Sequence, residues 1–175
     1  MTPAEKYLDS IKGKKVAFVG MGVANTPCAE FLAKNGIETY ACDMRDKEYI
    51  GTDVCRHLEE LGVHFSLGEG YLDILPQMDI VFRSHGILPF QNKWIGECIK
   101  RGQTVTTEME VFFKYCPSKI IAVTGSNGKT TTTTLISKML NAQGYKVFLG
   151  GNIGKALMPA LEEITENDIA VVELS

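Results

Sequence analysis

The chain has 175 residues, of which 45% are hydrophobic and 22% charged, the balance of a folded globular protein and not of a disordered one. Its 18 Lys and Arg against 21 Asp and Glu give a formal charge of -3 with no basic block, which excludes a duplex nucleic acid as partner on electrostatic grounds. No apolar run reaches the length of a membrane span, the N-terminus MTPAEKYLDS lacks a signal pattern, and the odd, widely spaced set Cys28, Cys42, Cys55, Cys98 and Cys116 suits reduced thiols, so a cytoplasmic protein without a membrane partner is expected.

In chain order, KVAFVG (15–20) reads as a strand ending in glycine, and residues 27–35 as a helix with Cys28, Phe31 and Leu32 on one stripe. IETYACD (37–43) is the next strand, followed by a helix with Ile50, Val54, Leu58 and Leu61 on its apolar side and Gly62 at its end. The alternation continues with a strand at 63–66, a weak helix at 69–75, the strand DIVFRS (79–84), a helix at 91–101 and the strand QTVTT (103–107). Alternating elements of these lengths predict an α/β fold, a Rossmann-like parallel sheet covered on both faces. A short helix at 108–115 precedes Pro117, where a domain boundary is expected, giving domains at 1–117 and 118–175. The second series runs through KIIAVTG (119–125), a helix at 129–142, KVFLG (146–150), a helix at 155–163 and a terminal strand. Ending on an apolar strand without a covering helix points to a partial protein.

Gly20 and Gly22 open a loop of dinucleotide-binding type, with Asn25 where a third glycine would stand and Asp43 where a ribose-binding acid would lie. Such a loop offers backbone N–H groups to an anion. Arg45 adds a guanidinium able to fork onto a diphosphate, and Ser84-His85-Gly86-Ile87 lies at the end of another parallel strand, the edge where open sheets bind ligands. These residues predict a nucleotide or nucleotide-sugar site, with NAD or FAD and purely structural turns as alternatives.

TGSNGKTTTTT (124–134) lies between an apolar strand and a helix, the context of a phosphate-binding loop. Gly125, Ser126, Asn127 and Gly128 would supply backbone donors for ATP, Lys129 charge for its outer phosphates, and Thr130 a hydroxyl for magnesium, with Thr131 close by. Val123 stands where the strict motif has its first glycine. Glu173, at the end of the terminal strand, would hold magnesium directly or through water, and GGNIG (150–154) forms a third turn.

The combination resembles the Mur ligase family of peptidoglycan synthesis, through VAFVGMGVAN (16–25), CDMRD (42–46), SHGI (84–87), TTEMEVF (106–112), TGSNGKTTTTT (124–134), GGNIG (150–154) and VVELS (171–175). The resemblance implies a Rossmann-like domain followed by the start of a phosphate-loop central domain. The first domain and TTEMEVF narrow the resemblance to the branch that adds D-glutamate to UDP-N-acetylmuramoyl-L-alanine. It implies that Gly22, Val23, Ala24 and Asn25 lie near the substrate phosphates, Asp43 and Met44 at uracil or ribose with Arg45 nearby, and Ser84, His85 and Gly86 over the pocket. ATP would bind through Ser126 to Thr131, Asn152 would contact the sugar nucleotide, and Lys129 and Glu173 would be catalytic, with Thr130 and Glu173 on magnesium. Asn25 replaces the family's usual glycine, and His85 the proline of an SPGI-type loop. A monomer is expected, active as a ligase only as part of a longer protein, because the family's modified lysine, its histidine and its C-terminal domain fall outside residues 1–175. An NAD-dependent oxidoreductase and a non-catalytic nucleotide-binding module remain as alternatives.

Overall fold

Thr2 opens a helix, α1 (Pro3–Ser10), through a reciprocal cap in which Glu5 N donates to Thr2 Oγ1 (3.1 Å) and Thr2 N to Glu5 Oε2 (2.6 Å). No expectation covered this element. The computed structural model describes residues 1–174, and they divide into two compact units, one spanning Leu8–Glu110 and the other joining Met1–Tyr7 to the chain from Val111 onward.

The first unit runs β1 (Lys15–Val19), α2 (Asn25–Lys34), β2 (Glu38–Asp43), α3 (Lys47–Ile50), α4 (Thr52–Glu60), β3 (His64–Leu67), β4 (Ile80–Arg83), α5 (Lys93–Lys100) and β5 (Thr104–Thr106). All five strands are parallel, in the order β3-β2-β1-β4-β5. The chain therefore winds outward from β1 on one side and then crosses to β4 on the other, which opens a crevice beyond the C-terminal ends of β1, β2 and β4. Alternation along β1 feeds two cores. Ala17 and Val19 join Cys42, Val81, Leu72, Leu75, Met78, Ile95 and Cys98 on one face. The fully buried Phe18, next along β1, stacks on Phe82 with centroids 4.6 Å apart.

Two segments of this unit differ from the sequence expectation. The helix assigned to Ile50, Val54, Leu58 and Leu61 is two helices, broken at Gly51 with φ 114°; its buried residues are Cys55 and Leu58, and Val54 is exposed. Asp46 caps α3 by accepting from Tyr49 N (2.9 Å), so the break resets the helical phase before the longer piece begins. The segment 69–75 is a run of turns ending in a 3₁₀ turn at Leu75–Gln77. Glycines at 68 and 70 and a proline at 76 deny it an α-helix, while Leu72, Leu75 and Met78 still reach the core at a spacing of three.

The second unit contains β6 (Lys119–Val123), α7 (Lys129–Ala142), β7 (Val147–Gly151) and β8 (Ile169–Glu173), preceded by α6 (Glu108–Tyr115), which begins at the end of the first unit. Its parallel sheet has the order β6-β8-β7, and β8 is buried along its whole length, as a continuous apolar strand in the centre of a parallel sheet should be. α7 lays Thr133 and Ser137 against the sheet and leaves Leu135 and Met139 exposed. The expected helix at 155–163 is instead a 3₁₀ turn at Pro159–Glu162, because Lys155 first pairs with Gly150 in an extended bridge and Pro159 opens the turn only afterwards. Leu157, Met158, Leu161 and Ile164 are nevertheless buried. No helix among the described residues is long and apolar enough to cross a membrane.

Candidate functional site

Each sheet presents a row of strand ends, and the residues singled out from sequence fall on them. In the first unit the loop after β1 carries Gly22 and Val23 in the open and Ala24 half-buried. Asn25 is turned inward, 2% exposed, and its Nδ2 donates to Gly20 O (2.9 Å) and Val19 O (3.2 Å). The side chain that replaces the third glycine thus ties the loop's two ends together. Asp43 ends β2 and is 3% exposed. Its Oδ2 accepts from Met21 N (2.7 Å) and Arg45 Nη2 (2.7 Å), and its Oδ1 from Arg45 Nε (2.8 Å) and Arg45 N (3.0 Å). Burial opposes ionisation of this carboxyl, but the Arg45 side chain and the two backbone N–H groups outweigh it and hold the group below the usual carboxylate range.

Arg45 is fixed in turn. It forks onto Asp43, donates from Nη2 to Met21 O (3.3 Å), and lies over the Tyr49 ring with Cζ 4.6 Å from the centroid. The bond to Asp43 is the main reason its guanidinium is pushed further toward the charged form. Met44 beside it is exposed. Across β1, Ser84 to Ile87 form a tight turn closed by Ile87 N on Ser84 O (3.0 Å), with His85 and Gly86 exposed. An exposed glycine loop, a guanidinium held by Asp43 and an exposed turn thus lie at neighbouring strand ends of one parallel sheet, a suitable arrangement for a diphosphate carrying a flat base. Sequence reading missed Arg83, whose guanidinium reaches Ile87 O; a basic residue ending β4 on the ligand edge was the available signal.

In the second unit Thr124 to Gly128 are exposed and lead from β6 into the first turn of α7. Gly128 takes the left-handed conformation at φ 75° that lets the chain turn directly into a 14-residue helix, whose free N–H groups face the loop. Lys129 folds over this loop, and its Nζ donates to Gly125 O (2.7 Å), leaving two of three ammonium donors for an anion. Thr130 and Thr131 are exposed on the same turn.

Glu173 stands at the centre of this edge, level with Val123 of β6 and Gly151 of β7. It is 5% exposed, and its Oε2 has no hydrogen-bond partner among the described residues. Asn152 N donates to Glu173 O (3.0 Å), and a Cβ on Gly151 would collide with that same carbonyl, which explains the glycine at the crossing. A buried carboxyl oxygen without a donor among the described residues, on the same sheet edge as a helix N-terminus, is a natural place for a cation. Among the described residues no group of three or more His, Cys, Asp or Glu is placed to hold a metal ion.

Known proteins match the chain along nearly its whole length. The UDP-N-acetylmuramoylalanine--D-glutamate ligase of Clostridium perfringens is 45% identical over 170 residues, which are 97% of this chain and 37% of that protein. The enzyme of the same name from Clostridium botulinum strain Hall is 44% identical with the same coverage. The chain therefore spans little more than a third of the length of these curated relatives. Among solved structures, a murein peptide ligase from Psychrobacter arcticus superposes with TM-score 0.53 at 20% identity, covering 93% of this chain and 38% of that one. UDP-N-acetylmuramate:L-alanyl-gamma-D-glutamyl-meso-diaminopimelate ligase from Neisseria meningitides gives 0.56 at 16% identity, covering 91% and 52%. These two likenesses concern the fold alone. The Mur ligase middle domain model matches residues 123–175, where the 124–128 loop and Glu173 lie. Sequence identity across both sheets and a family model on the second agree: the chain belongs to the Mur ligase family.

Proposed function

We propose that the chain is the nucleotide-sugar-binding part and the beginning of the ATP-binding part of an ATP-dependent ligase that joins D-glutamate to UDP-N-acetylmuramoyl-L-alanine. In this reading the β1, β2 and β4 loops take the uridine diphosphate portion, with Gly22 to Asn25 at the phosphates, Asp43, Met44 and Arg45 at the base and ribose, and Ser84 to Gly86 over them. ATP lies on Gly125 to Thr131.

The reaction converts a carboxylate into an acyl phosphate, which the amine of D-glutamate then attacks to give an amide and phosphate. The carboxylate alone has no leaving group; phosphorylation provides one. The chain's own contribution is electrostatic. The N-terminus of α7 and the Lys129 ammonium offset charge on the ATP phosphates, and the loop holds the terminal phosphate in place. The exposed Thr130 hydroxyl and the unpartnered Glu173 oxygen fit the oxygen-donor set that magnesium takes, and they would hold it. When bound, the ion supplies further charge neutralisation on the phosphates.

The observation that carries this reading is Glu173, a buried carboxyl whose Oε2 lacks a donor among the described residues, placed in register between the strand that leads into the 124–128 loop and the strand that leads to Asn152. The relatives' name supports the choice of D-glutamate as amine and of the sugar nucleotide as acceptor. The test is phosphate release by the full-length protein with magnesium and ATP. Release that requires both UDP-N-acetylmuramoyl-L-alanine and D-glutamate supports the proposal; release indifferent to either refutes it.

A further inference from the structure

We infer that Arg83 is a positioning residue, a latch that holds the Ser84–Ile87 turn in the shape in which it covers the nucleotide-sugar; this rests on the proposal that the first crevice binds that substrate. The turn is fastened at its near end by Ser84 N, which donates to Val19 O (3.0 Å). It also lies tight against the first glycine loop, since a Cβ on Gly20 would come within 2.9 Å of Ser84 Oγ. The far end is reached by Arg83, whose Nη1 donates to Ile87 O (3.3 Å).

The other arm of the guanidinium faces Glu110, with Nη2 4.0 Å from Oε1. Glu110 is not a free carboxylate. Its Oε2 accepts from Thr107 N (2.8 Å) and Thr106 Oγ1 (3.0 Å), while Glu110 N donates to Thr107 Oγ1 (3.2 Å), the reciprocal cap that starts α6. Arg83 therefore joins the far end of the turn to an anchored helix start. Its side chain is 19% exposed, which limits the solvent's ability to replace either contact. A planar fork holds a carbonyl and a carboxylate in two fixed directions at once, whereas a lysine ammonium is a single compact centre without that fixed geometry. The geometry places Arg83 behind the turn, so its effect falls on substrate affinity and not on chemistry.

The test compares the full-length parent with R83M, R83K and E110Q, reading the KM for UDP-N-acetylmuramoyl-L-alanine, the KM for ATP, and kcat. Losing a hydrogen bond from a charged group predicts about a tenfold rise in the sugar-nucleotide KM for R83M, with R83K in between and ATP KM and kcat within about twofold of the parent. E110Q, which keeps an acceptor for the helix cap, should raise the same KM about two- to fivefold, as a partly exposed ion pair would. An unchanged sugar-nucleotide KM in R83M overturns the inference, and so does a rise in both KM values in step, which would mark a general loss of structure. If R83M does not fold, E110Q decides, and an unchanged KM there overturns the latch. A parent that releases no phosphate on addition of the sugar nucleotide and does not bind it in a calorimetric titration overturns the functional reading and the latch with it, an outcome distinct from a parent that binds and an R83M that binds equally well.

Discussion

Replacing Asp43 by Asn tests the first crevice through a quantity that needs no ligand. The carboxylate accepts four hydrogen bonds, two from the Arg45 side chain and two from backbone N–H groups, and it is buried. Asparagine keeps the shape but offers one oxygen in place of two and no charge. Arg45 is partly exposed and recovers water, so its loss is moderate; Met21 N is buried and does not. Hydrogen bonds to charged groups are worth about 1.5–3 kcal/mol each, and partial recovery by solvent brings the expected cost to about 2 kcal/mol. For a unit of this size that is a fall in Tm of about 8–16 °C at pH 7. The pH dependence has a definite sign. The folded carboxyl ionises below its unfolded counterpart, whose value is about 3.9, so the extra stability is complete above that value and is lost as the pH falls through the folded one. Thermal melts of parent and D43N between pH 7 and pH 3 should therefore converge at the acid end. A gap under about 2 °C at neutral pH, or one that widens toward acid, refutes the assignment of Asp43 as a charged brace.

Further predictions concern the second sheet and the thiols. K129A in the full-length protein should lower ATP-dependent phosphate release by at least about a hundredfold, measured at saturating substrates, since an ammonium on the phosphates is lost. E173Q should leave the melting temperature unchanged or raise it by a few degrees while abolishing magnesium-dependent turnover, because it replaces a buried carboxyl oxygen that lacks a donor among the described residues. G151A should be destabilised by more than about 3 kcal/mol in urea unfolding, since the new methyl group meets the Glu173 carbonyl at a positive φ. Native alkylation at pH 8 followed by mass spectrometry should label the half-buried Cys116 before Cys42, whose thiol burial and the Asp43 charge push up to about 12.

Features carried by neighbouring residues were legible in the sequence. The strand-to-helix turn at 124–128 is one, because strand, glycines, lysine and threonine follow each other within a dozen positions. The alternation of apolar strands and helices gave the parallel sheets for the same reason. The reciprocal cap in Thr2-Pro3-Ala4-Glu5 was equally local and was passed over, which is why α1 has no counterpart in the expectations. Where Gly51 splits a helix, the periodicity of apolar residues misled, moving the buried face from Val54 to Cys55. The 3₁₀ turns at Leu75–Gln77 and Pro159–Glu162 bury apolar residues at helical-looking spacings without forming α-helices. Contacts between distant positions were beyond reach. Asp43 with Met21 and Arg83 with Glu110 depend on strand order, which local spacing does not encode.

The central claim is that one chain carries a uridine-diphosphate crevice and a separate ATP-phosphate crevice. It is tested most directly by calorimetric titration of the full-length protein with UDP-N-acetylmuramoyl-L-alanine, with magnesium-ATP and with NADH. Two independent single-site isotherms for the first two ligands, the first weakened by R83M and the second by K129A, are the predicted result. Tight NADH binding with no heat from the sugar nucleotide would contradict it.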